Sequence, residues 1–384
     1  MKKIYAALAV SIVASSALYA TNGDTLIGVG AKTRAMGGVG IALSQGAEST
    51  LVNPASITKV KDTEISFGGT IFMPTIKTTM NGQEVKSDAD LSIIPTVAIA
   101  SQVMPNIYVG VGMYGTAGMG VDFRGHNTHM DMETTLQLMQ FAVPIAYKFN
   151  GLSIGIAPIL QYGSLDISYK MGTNRVGYGQ KQDFGVGVSV GAMYDFGNGF
   201  SVGAVYKSKI TMKYPKVLTT AAGSMVPGIS DTLTQPAEAG VGVAYTFGPH
   251  TIAADYKKIF WSKAKGYKDF KWKDQDVFAI GYQYDAGKWA LRLGFNHASS
   301  PLKVLPLTSP INGYINTFNL LGFPATSKNH FTVGGSYEFN KNFSADFTLV
   351  YSPSAKTSAN TGTPYAITNK HSELGVTVQF NYKF

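Results

Sequence analysis

Residues 373–384, "ELGVTVQFNYKF", alternate strictly, with Val376, Val378, Phe380, Tyr382 and Phe384 on one face and Thr377, Gln379, Asn381 and Lys383 on the other. Side chains of a β-strand point to opposite faces in turn, so this is a strand with one apolar and one polar side. It ends the chain on an aromatic residue. The same scheme recurs upstream. "FAVPIAYKF" puts Phe141, Val143, Ile145, Tyr147 and Phe149 on one side, and "FGVGVSVGAMYDF" does so with Phe184, Val186, Val188, Val190, Ala192, Tyr194 and Phe196. In the latter the other face is Gly185, Gly187, Ser189 and Gly191. "AEAGVGVAYTF" and "KWALRLGFNH" repeat it, with Arg292 and Asn296 opposite Trp289, Leu291, Leu293 and Phe295.

Turn signals punctuate these segments at Pro105-Asn106, Asn150-Gly151, Asn198-Gly199, Gly248-Pro249, Ala286-Gly287 and Lys341-Asn342. Between them lie longer polar stretches near 80–89, 119–134, 172–181, 215–235, 262–273, 300–327 and 354–370. Six short connections alternating with seven long ones imply about fourteen antiparallel strands, with both termini on the short-turn side. An even, closed barrel leaves no unpaired edge, which is what a sheet in lipid requires. The fold class is therefore all-β, a transmembrane antiparallel barrel.

Composition fits an exported membrane protein. The 384 residues are 45% hydrophobic and only 14% charged, and there is no cysteine, which excludes disulfides and thiolate metal sites. The opening "MKKIYAALAVSIVASSALYA" has Lys2 and Lys3, an apolar run and small residues, the pattern of a secretory signal peptide cleaved after Ala20 or after Ala17. Three parts follow: residues 1–20 as signal, 21–61 as a compact front segment, and 62–384 as barrel. The front segment does not alternate, is rich in Gly and Ala, and allows short helices at Ala31–Met36 and Glu48–Val52. Because a barrel of about eight strands is already filled by its own side chains, about fourteen leave a lumen that this segment is placed to plug.

Here the chain resembles the FadL/TodX-type outer-membrane transporters of long-chain fatty acids and other hydrophobic compounds. The resemblance rests on Arg34-Ala35-Met36-Gly37-Gly38, Ala42 and Asn53-Pro54-Ala55, then on "QPAEAGVGVAYTF", "AADYKKIFWSK", "WALRLGFNHASSP" and "HFTVGGSYEF" in that order. The acidic Asp-Ala-Ser that usually precedes Asn-Pro-Ala in the family is here Gly46-Ala47-Glu48-Ser49. The resemblance implies a hatch built on Arg34, Gly37, Gly38, Asn53, Pro54 and Ala55, with the Asn-Pro-Ala turn near the periplasmic mouth. It also implies a kinked third strand that opens the wall sideways. That strand reads "NIYVGVGMYGTAGMGVDF", and Tyr114, Gly115, Thr116 and Gly118 mark the expected opening, with Thr116 where the family often has proline. Strand glycine permits a bulge, and it equally makes room for a close neighbour.

Passive outer-membrane uptake of hydrophobic molecules, first of all long-chain fatty acids, is the function these features imply. Aromatic-hydrocarbon uptake, a structural or adhesive surface barrel, and an open porin are the alternatives. Apolar residues of the long loop, Leu302, Leu305, Leu307, Phe318, Leu320, Leu321 and Phe323, are candidates for an outer hydrophobic groove, or for shielding the rim. Arg292 and Lys257 are candidates for a substrate carboxylate, since strand phase sets both opposite the apolar face; Asp255 and Glu238 are their alternative partners. The expected partners are a hydrophobic small molecule, lipopolysaccharide and outer-membrane lipid, and the barrel-assembly machinery, with the protein a monomer in the bacterial outer membrane.

Other patterns carry less. "GLSIG" (151–155) and "GVSVG" (187–191) match the nucleophile elbow, yet Ser153 and Ser189 sit in alternating strands rather than at a strand–helix turn, so no catalysis is expected. His126, His129 and Asp131 have metal-compatible spacing but read as a solvated loop, and no metal or cofactor is called for. Lys257, Lys258, Lys263, Lys265, Lys268, Lys271 and Lys273 interleave with aromatics. On an exported barrel this stretch is expected to face lipopolysaccharide or fatty carboxylates rather than nucleic acid, or to be simply a solvated loop.

Overall fold

A computed structural model describes residues 21–384; the signal-peptide reading of 1–20 lies outside the described residues. The wall consists of fourteen antiparallel strands. They are β1 (Thr63–Met80), β2 (Ser92–Met104), β3 (Ile107–Asp122), β4 (Glu133–Ala142, continued as Ile145–Phe149), β5 (Leu152–Met171), β6 (Lys181–Asp195) and β7 (Phe200–Lys207). The second half is β8 (Glu238–Phe247), β9 (His250–Ile259), β10 (Gln275–Asp285), β11 (Trp289–Ala298), β12 (Asn329–Glu338), β13 (Phe343–Ala359) and β14 (Ile367–Lys383). The sheet closes where β14 pairs with β1, in unbroken register from Ile367↔Met80 to Lys383↔Glu64. The strands around the seventh long connection run further than the turn signals imply. Only residues 360–366 separate β13 from β14, because the polar 354–370 stretch stays paired beyond the rim, apart from a bulge at Ser352/Ala355.

Alternation sorts the two faces as the sequence requires. On β14, Val378 and Tyr382 are exposed outward, while Glu373, Gly375, Thr377, Gln379 and Asn381 are buried inward. The inward polar groups hydrogen-bond across strands: Thr70 with Thr377 at 2.7 Å, Ser66 to Asn381 at 2.7 Å, and Asn381 to Asp346 at 2.6 Å. Aromatic pairs collect near the short turns, among them Tyr194–Phe196, Phe196–Phe200, Tyr245–Phe247, Phe343–Phe380 and Tyr382–Phe384. Such a girdle belongs at a membrane interface, where an apolar ring can carry a polar edge.

Residues 21–60 fill the interior. They begin as a small hairpin (Thr21–Asn22 with Thr25–Leu26), continue through α1 (Ala31–Ala35), and end in two 3₁₀ turns, Gly46–Leu51 and Pro54–Lys59. The first described residue, Thr21, stands beneath the long loops: Gly23 lies against Trp261, and Asp24 accepts from Tyr267 and Gln235. Phe384 lies at the opposite end, donating its N–H to Thr63 O. Phe384 thus stands at the short-turn end of the barrel, while Asp24 lies under the long loops, where Gln235 and Tyr267 donate to its buried carboxyl.

The long connections fold down over the lumen. Between β7 and β8 a ribbon (Ile210–Lys213 with Thr232–Gln235) and α2 (Val217–Ala222) turn inward. The 299–328 connection carries α3 (Pro310–Leu321), capped by Ser309. Among the described residues no helix is long and apolar enough to cross a membrane.

Candidate substrate path

The front segment is held from all round the wall. α1 is fixed by Thr348 donating to Ala31 O at 2.7 Å, by Ala31 N donating to Gln379 at 3.1 Å, and by Thr332 donating to Ala35 O at 2.8 Å. Glu48 stands at the N-terminal end of α1 and accepts from Lys32 N (3.2 Å), Thr33 N (2.6 Å), the Thr33 hydroxyl (2.6 Å) and Gln379 Nε2 (2.8 Å). A carboxylate there satisfies free helix N–H groups, so Glu48 does this work from its own place in the altered family motif. On the far side Asp255 accepts from Gly40 N at 2.8 Å and Ile41 N at 3.0 Å. Gly37 and Gly38 have φ of 71° and 92°, and a Cβ on Gly38 would sit 2.0 Å from Ile27 O. Only glycine fits that turn.

Asn53 organises the lower end. Its Oδ1 accepts from Ala55 N at 3.0 Å, and its Nδ2 donates to Ile41 O at 2.7 Å and to Ala192 O of β6 at 3.3 Å. Pro54 lies against Gly155 of β5, and a Cβ on Gly191 of β6 would stand 1.9 Å from Asn53 Oδ1. The inward glycines of β5, β6 and β11 are thus sockets: Gly294 would bring a Cβ within 2.1 Å of Gly37 N.

At the roof, Trp261, Tyr267, Phe270 and Trp272 are buried, while Lys263, Lys265, Lys268, Lys271 and Lys273 between them are exposed. Phe270 stacks on Phe318 of α3 at 4.4 Å, and Asn319 ties the two loops by accepting from Trp272 Nε1 and donating to Phe270 O. Below lies an apolar chamber of about 30 Å³ lined by Met119, Leu136, Leu165, Leu233, Phe318 and Phe323. A second chamber of about 70 Å³ sits deeper, against the front segment, with Leu26, Val29, Ile41 and Leu51 at its floor and Lys207, Glu238 and Lys257 at one side. An apolar cavity that takes benzene has about 150 Å³, so either chamber must widen to admit a ligand. Asp24, between roof and floor, has its carboxyl pushed up to about 6 by burial, against the hydrogen bonds of Tyr267, Gln235 and Thr25.

β3 then breaks the wall. Its pairing with β2 runs from Ile107↔Met104 to Tyr114↔Thr96 and stops, leaving Ser92–Pro95 of β2 paired to β1 alone. Towards β4 the register slips between Gly115 and Ala117, with Thr116 as the extra residue. The outer half of β3 instead meets the front segment: Ala117 pairs with Thr25, and Gly118 N donates to Asp24 O at 2.9 Å. Contact with the outer loop resumes only at Asp122, whose carbonyl accepts from Asp88 N. Thr116 lines the deeper chamber, and the exposed Leu91 and Ile93 stand outside the break.

A hollow wall, a plugged lumen and a break in the third strand are the geometry against which known proteins can be compared. The family model described as outer membrane protein transport protein (OMPP1/FadL/TodX) matches residues 7–384. The chain belongs to this family. Among solved structures, a Pseudomonas aeruginosa FadL homologue is similar at 13% identity and TM-score 0.74, covering 94% of this chain and 100% of that one. The Pseudomonas putida toluene transporter TodX is similar at 19% identity and TM-score 0.71, covering 93% and 99%. A Chlorobium limicola protein, described as uncharacterized and lying 5′ of a phosphoenolpyruvate carboxykinase gene, is 45% identical over 80 residues. The match spans 39% of that relative's length. These establish an outer-membrane transport barrel of the FadL/TodX family.

Several residues singled out in the sequence take other places than expected. Leu302, Leu305, Phe318, Leu320 and Leu321 are buried, Phe323 is half-buried and only Leu307 is exposed, so they form the packed roof rather than an open outer groove. Asn316 causes this by clamping Leu305: its Nδ2 donates to Leu305 O and its Oδ1 accepts from Leu305 N. Arg292 lies in the lower polar mouth, a cavity of about 420 Å³, and is engaged by Gln283 at 2.7 Å, Ser336 at 2.5 Å and Asp346 at 3.8 Å. Lys257 lines the deeper chamber; Glu238 faces Lys207 at 4.0 Å instead, and Lys257 forms no ion pair among the described residues. Arg34 is buried, and burial pushes its guanidinium down to about 10. His129 is satisfied by Thr78 O and Asp131 by Lys170. Ser153 hydrogen-bonds Thr58, and Ser189 faces inward in β6.

Proposed function

We propose that the protein admits hydrophobic molecules, long-chain fatty acids first, by passive diffusion through the roof and the deeper chamber and out sideways at β3. The observation that carries this is the departure of β3 from β2 above Tyr114 and its pairing with Thr25 of the front segment. An apolar molecule leaving there enters the membrane without crossing the charged lower mouth, where Lys32, Arg292, Glu64 and Asp346 gather. The fatty-acid reading is supported by Lys257: a cation with no carboxylate within 4 Å among the described residues, at the side of an apolar chamber and coupled to the buried Asp255, suits a molecule with a carboxylate head.

Gly115→Trp tests the exit. A Cβ at Gly115 would already stand 2.6 Å from Ile94 Cγ2, so an indole there fills the break. The expected result is loss of labelled-oleate uptake in cells whose outer membrane still contains heat-modifiable barrel. Normal uptake by folded Gly115→Trp and Gly118→Trp would leave only a route past the front segment. Uptake no greater with the gene than without it would favour a surface barrel without transport. The aromatic roof of Trp261, Tyr267, Phe270 and Trp272 supports a second substrate class, monoaromatic hydrocarbons, which stack on such faces.

A further inference from the structure

At Ala254 of β9 the outward face of the wall is a single methyl group among large side chains. Its ladder neighbours are Val243 of β8 and Ile280 of β10, with Phe295 of β11 beside Ile280. One step towards the long loops stand Val241, Tyr256 and Phe278. Together they enclose a depression of about 420 Å³ in the outer surface of the barrel, its lining almost wholly apolar. Val241, Val243, Phe278 and Ile280 are exposed on that surface, while Asp255 and Ala279, behind it, face the lumen. A hollow on the lipid side of a wall has hydrocarbon as its natural filling. Left empty its lining would forfeit dispersion contacts, and it lacks the polar partners that hold water.

The rim above the hollow is cationic. Lys258 follows Tyr256 on the same outward face of β9 and pairs across the ladder with Asp276 of β10. Asp276 accepts from the Tyr256 hydroxyl at 2.6 Å and from Lys258 Nζ at 3.2 Å. An ammonium group has three donors, so Lys258 keeps two for another acceptor. The connection that follows is closed at its neck by Ser262 N donating to Asp274 at 3.0 Å, so Lys263 and Lys273 leave the rim beside Lys258. Both are exposed, as are Lys265, Lys268 and Lys271 beyond them. These five lysines face two aspartates, and both carboxylates are turned to backbone N–H groups, Asp269 to Gly266 and Asp274 to Ser262. None of the five forms an ion pair among the described residues.

We propose that this face of the barrel docks a phosphate-bearing acylated glycolipid, the lipopolysaccharide of the outer leaflet. An acyl chain fills the hollow over Ala254, and phosphate sits on Lys258, Lys263 and Lys273. The vertical order fits such a molecule. Ala254 and Lys258 are four residues apart, about 13 Å along a strand, which sets the hollow at the depth of the chains and the lysines at the headgroups. Tyr256 stands between them with its ring at the hollow and its hydroxyl at the rim, as an interfacial aromatic does. The long loops mark this rim as the outer one. Cations spread over a strand and both sides of a loop neck suit a head with more than one phosphate better than a single glycerol phosphate. The surface lies outside the substrate path, so the inference stands whichever molecule passes.

Native mass spectrometry of the delipidated barrel, titrated in detergent with bisphosphorylated lipid A, tests this. The wild type should retain lipid A in preference to its dephosphorylated form and to phosphatidylglycerol. Ala254→Trp fills the hollow from the lipid side without touching the lumen, and should weaken lipid A binding. The triple variant Lys258→Gln, Lys263→Gln, Lys273→Gln removes the cations and should weaken it at least about tenfold, because each lysine near an anionic headgroup adds to the attraction. A control triple, Lys77→Gln, Lys86→Gln, Lys356→Gln, takes the same charge from exposed positions on β1, the loop after it and β13, and should bind as the wild type does. Heat-modifiable migration shows that each variant is folded. Wild-type affinity in either folded site variant, an equal loss in the control, or equal retention of dephosphorylated lipid A or phosphatidylglycerol by the wild type overturns the proposal.

Discussion

Asn53→Ala removes the group on which the lower half of the front segment is hung. Three hydrogen bonds go: Ala55 N to Oδ1 at 3.0 Å, and Nδ2 to Ile41 O at 2.7 Å and to Ala192 O at 3.3 Å. Loss of the cap costs about 1 kcal/mol. The bond to the buried Ile41 carbonyl, left without its donor, costs about 1–3 kcal/mol. The sum, about 3 kcal/mol, multiplies the unseated population roughly a hundredfold, since 1.4 kcal/mol is tenfold. The barrel wall loses one donor at Ala192 O and none of its interstrand pairing, so heat-modifiable migration should not change. In planar bilayers the variant should show frequent large openings where the wild type is quiet, and oleate uptake should fall because the segment no longer shapes the chamber. Gly191→Ala attacks the same seat from the wall, its methyl standing 1.9 Å from Asn53 Oδ1. In the double variant that clash has no partner, so the two effects should be strongly less than additive. Wild-type conductance in folded Asn53→Ala, or full additivity with Gly191→Ala, would refute the seating role.

Lys257→Met should lower oleate uptake severalfold and leave toluene uptake unchanged, as measured with labelled substrates, because it removes a charge and keeps an apolar stem at the side of the chamber. Equal loss of both would make Lys257 a packing residue. An epitope inserted at Gly228, an exposed loop glycine with open space around it, should be detected on intact cells, and one at Asn198, in a short turn, only after permeabilisation. The opposite pattern would invert the barrel in its membrane.

The strands, their count and the short turns could be read from the chain because they depend on neighbours in sequence. A period of two is visible in "ELGVTVQFNYKF" alone, and Asn-Gly or Gly-Pro marks a turn wherever it lies. The short helix at Ala31–Ala35 was legible for the same reason, whereas the Arg34–Gly38 and Asn53-Pro54-Ala55 motif was recognised only through family resemblance. What each inward face meets was not legible. Gly155, Gly191 and Gly294 look like generic small lining until Pro54, Asn53 and Gly37 are seen seated on them from more than a hundred residues away. Leu305 and Phe318 have the composition of an open groove; only the Asn316 clamp and the stack on Phe270 make them a roof. Arg292 and Lys257 share a strand phase, yet one is spent on Asp346 and Ser336 in the lower mouth and the other stands in a chamber without an ion pair among the described residues. Asp24 lies beneath the roof because its donors come from residues 235 and 267, far along the chain. Periodicity is a property of a segment, whereas a socket, a partnered charge or the meeting of His371 and Glu373 beside Arg34 exists only once closure of the sheet brings distant residues face to face.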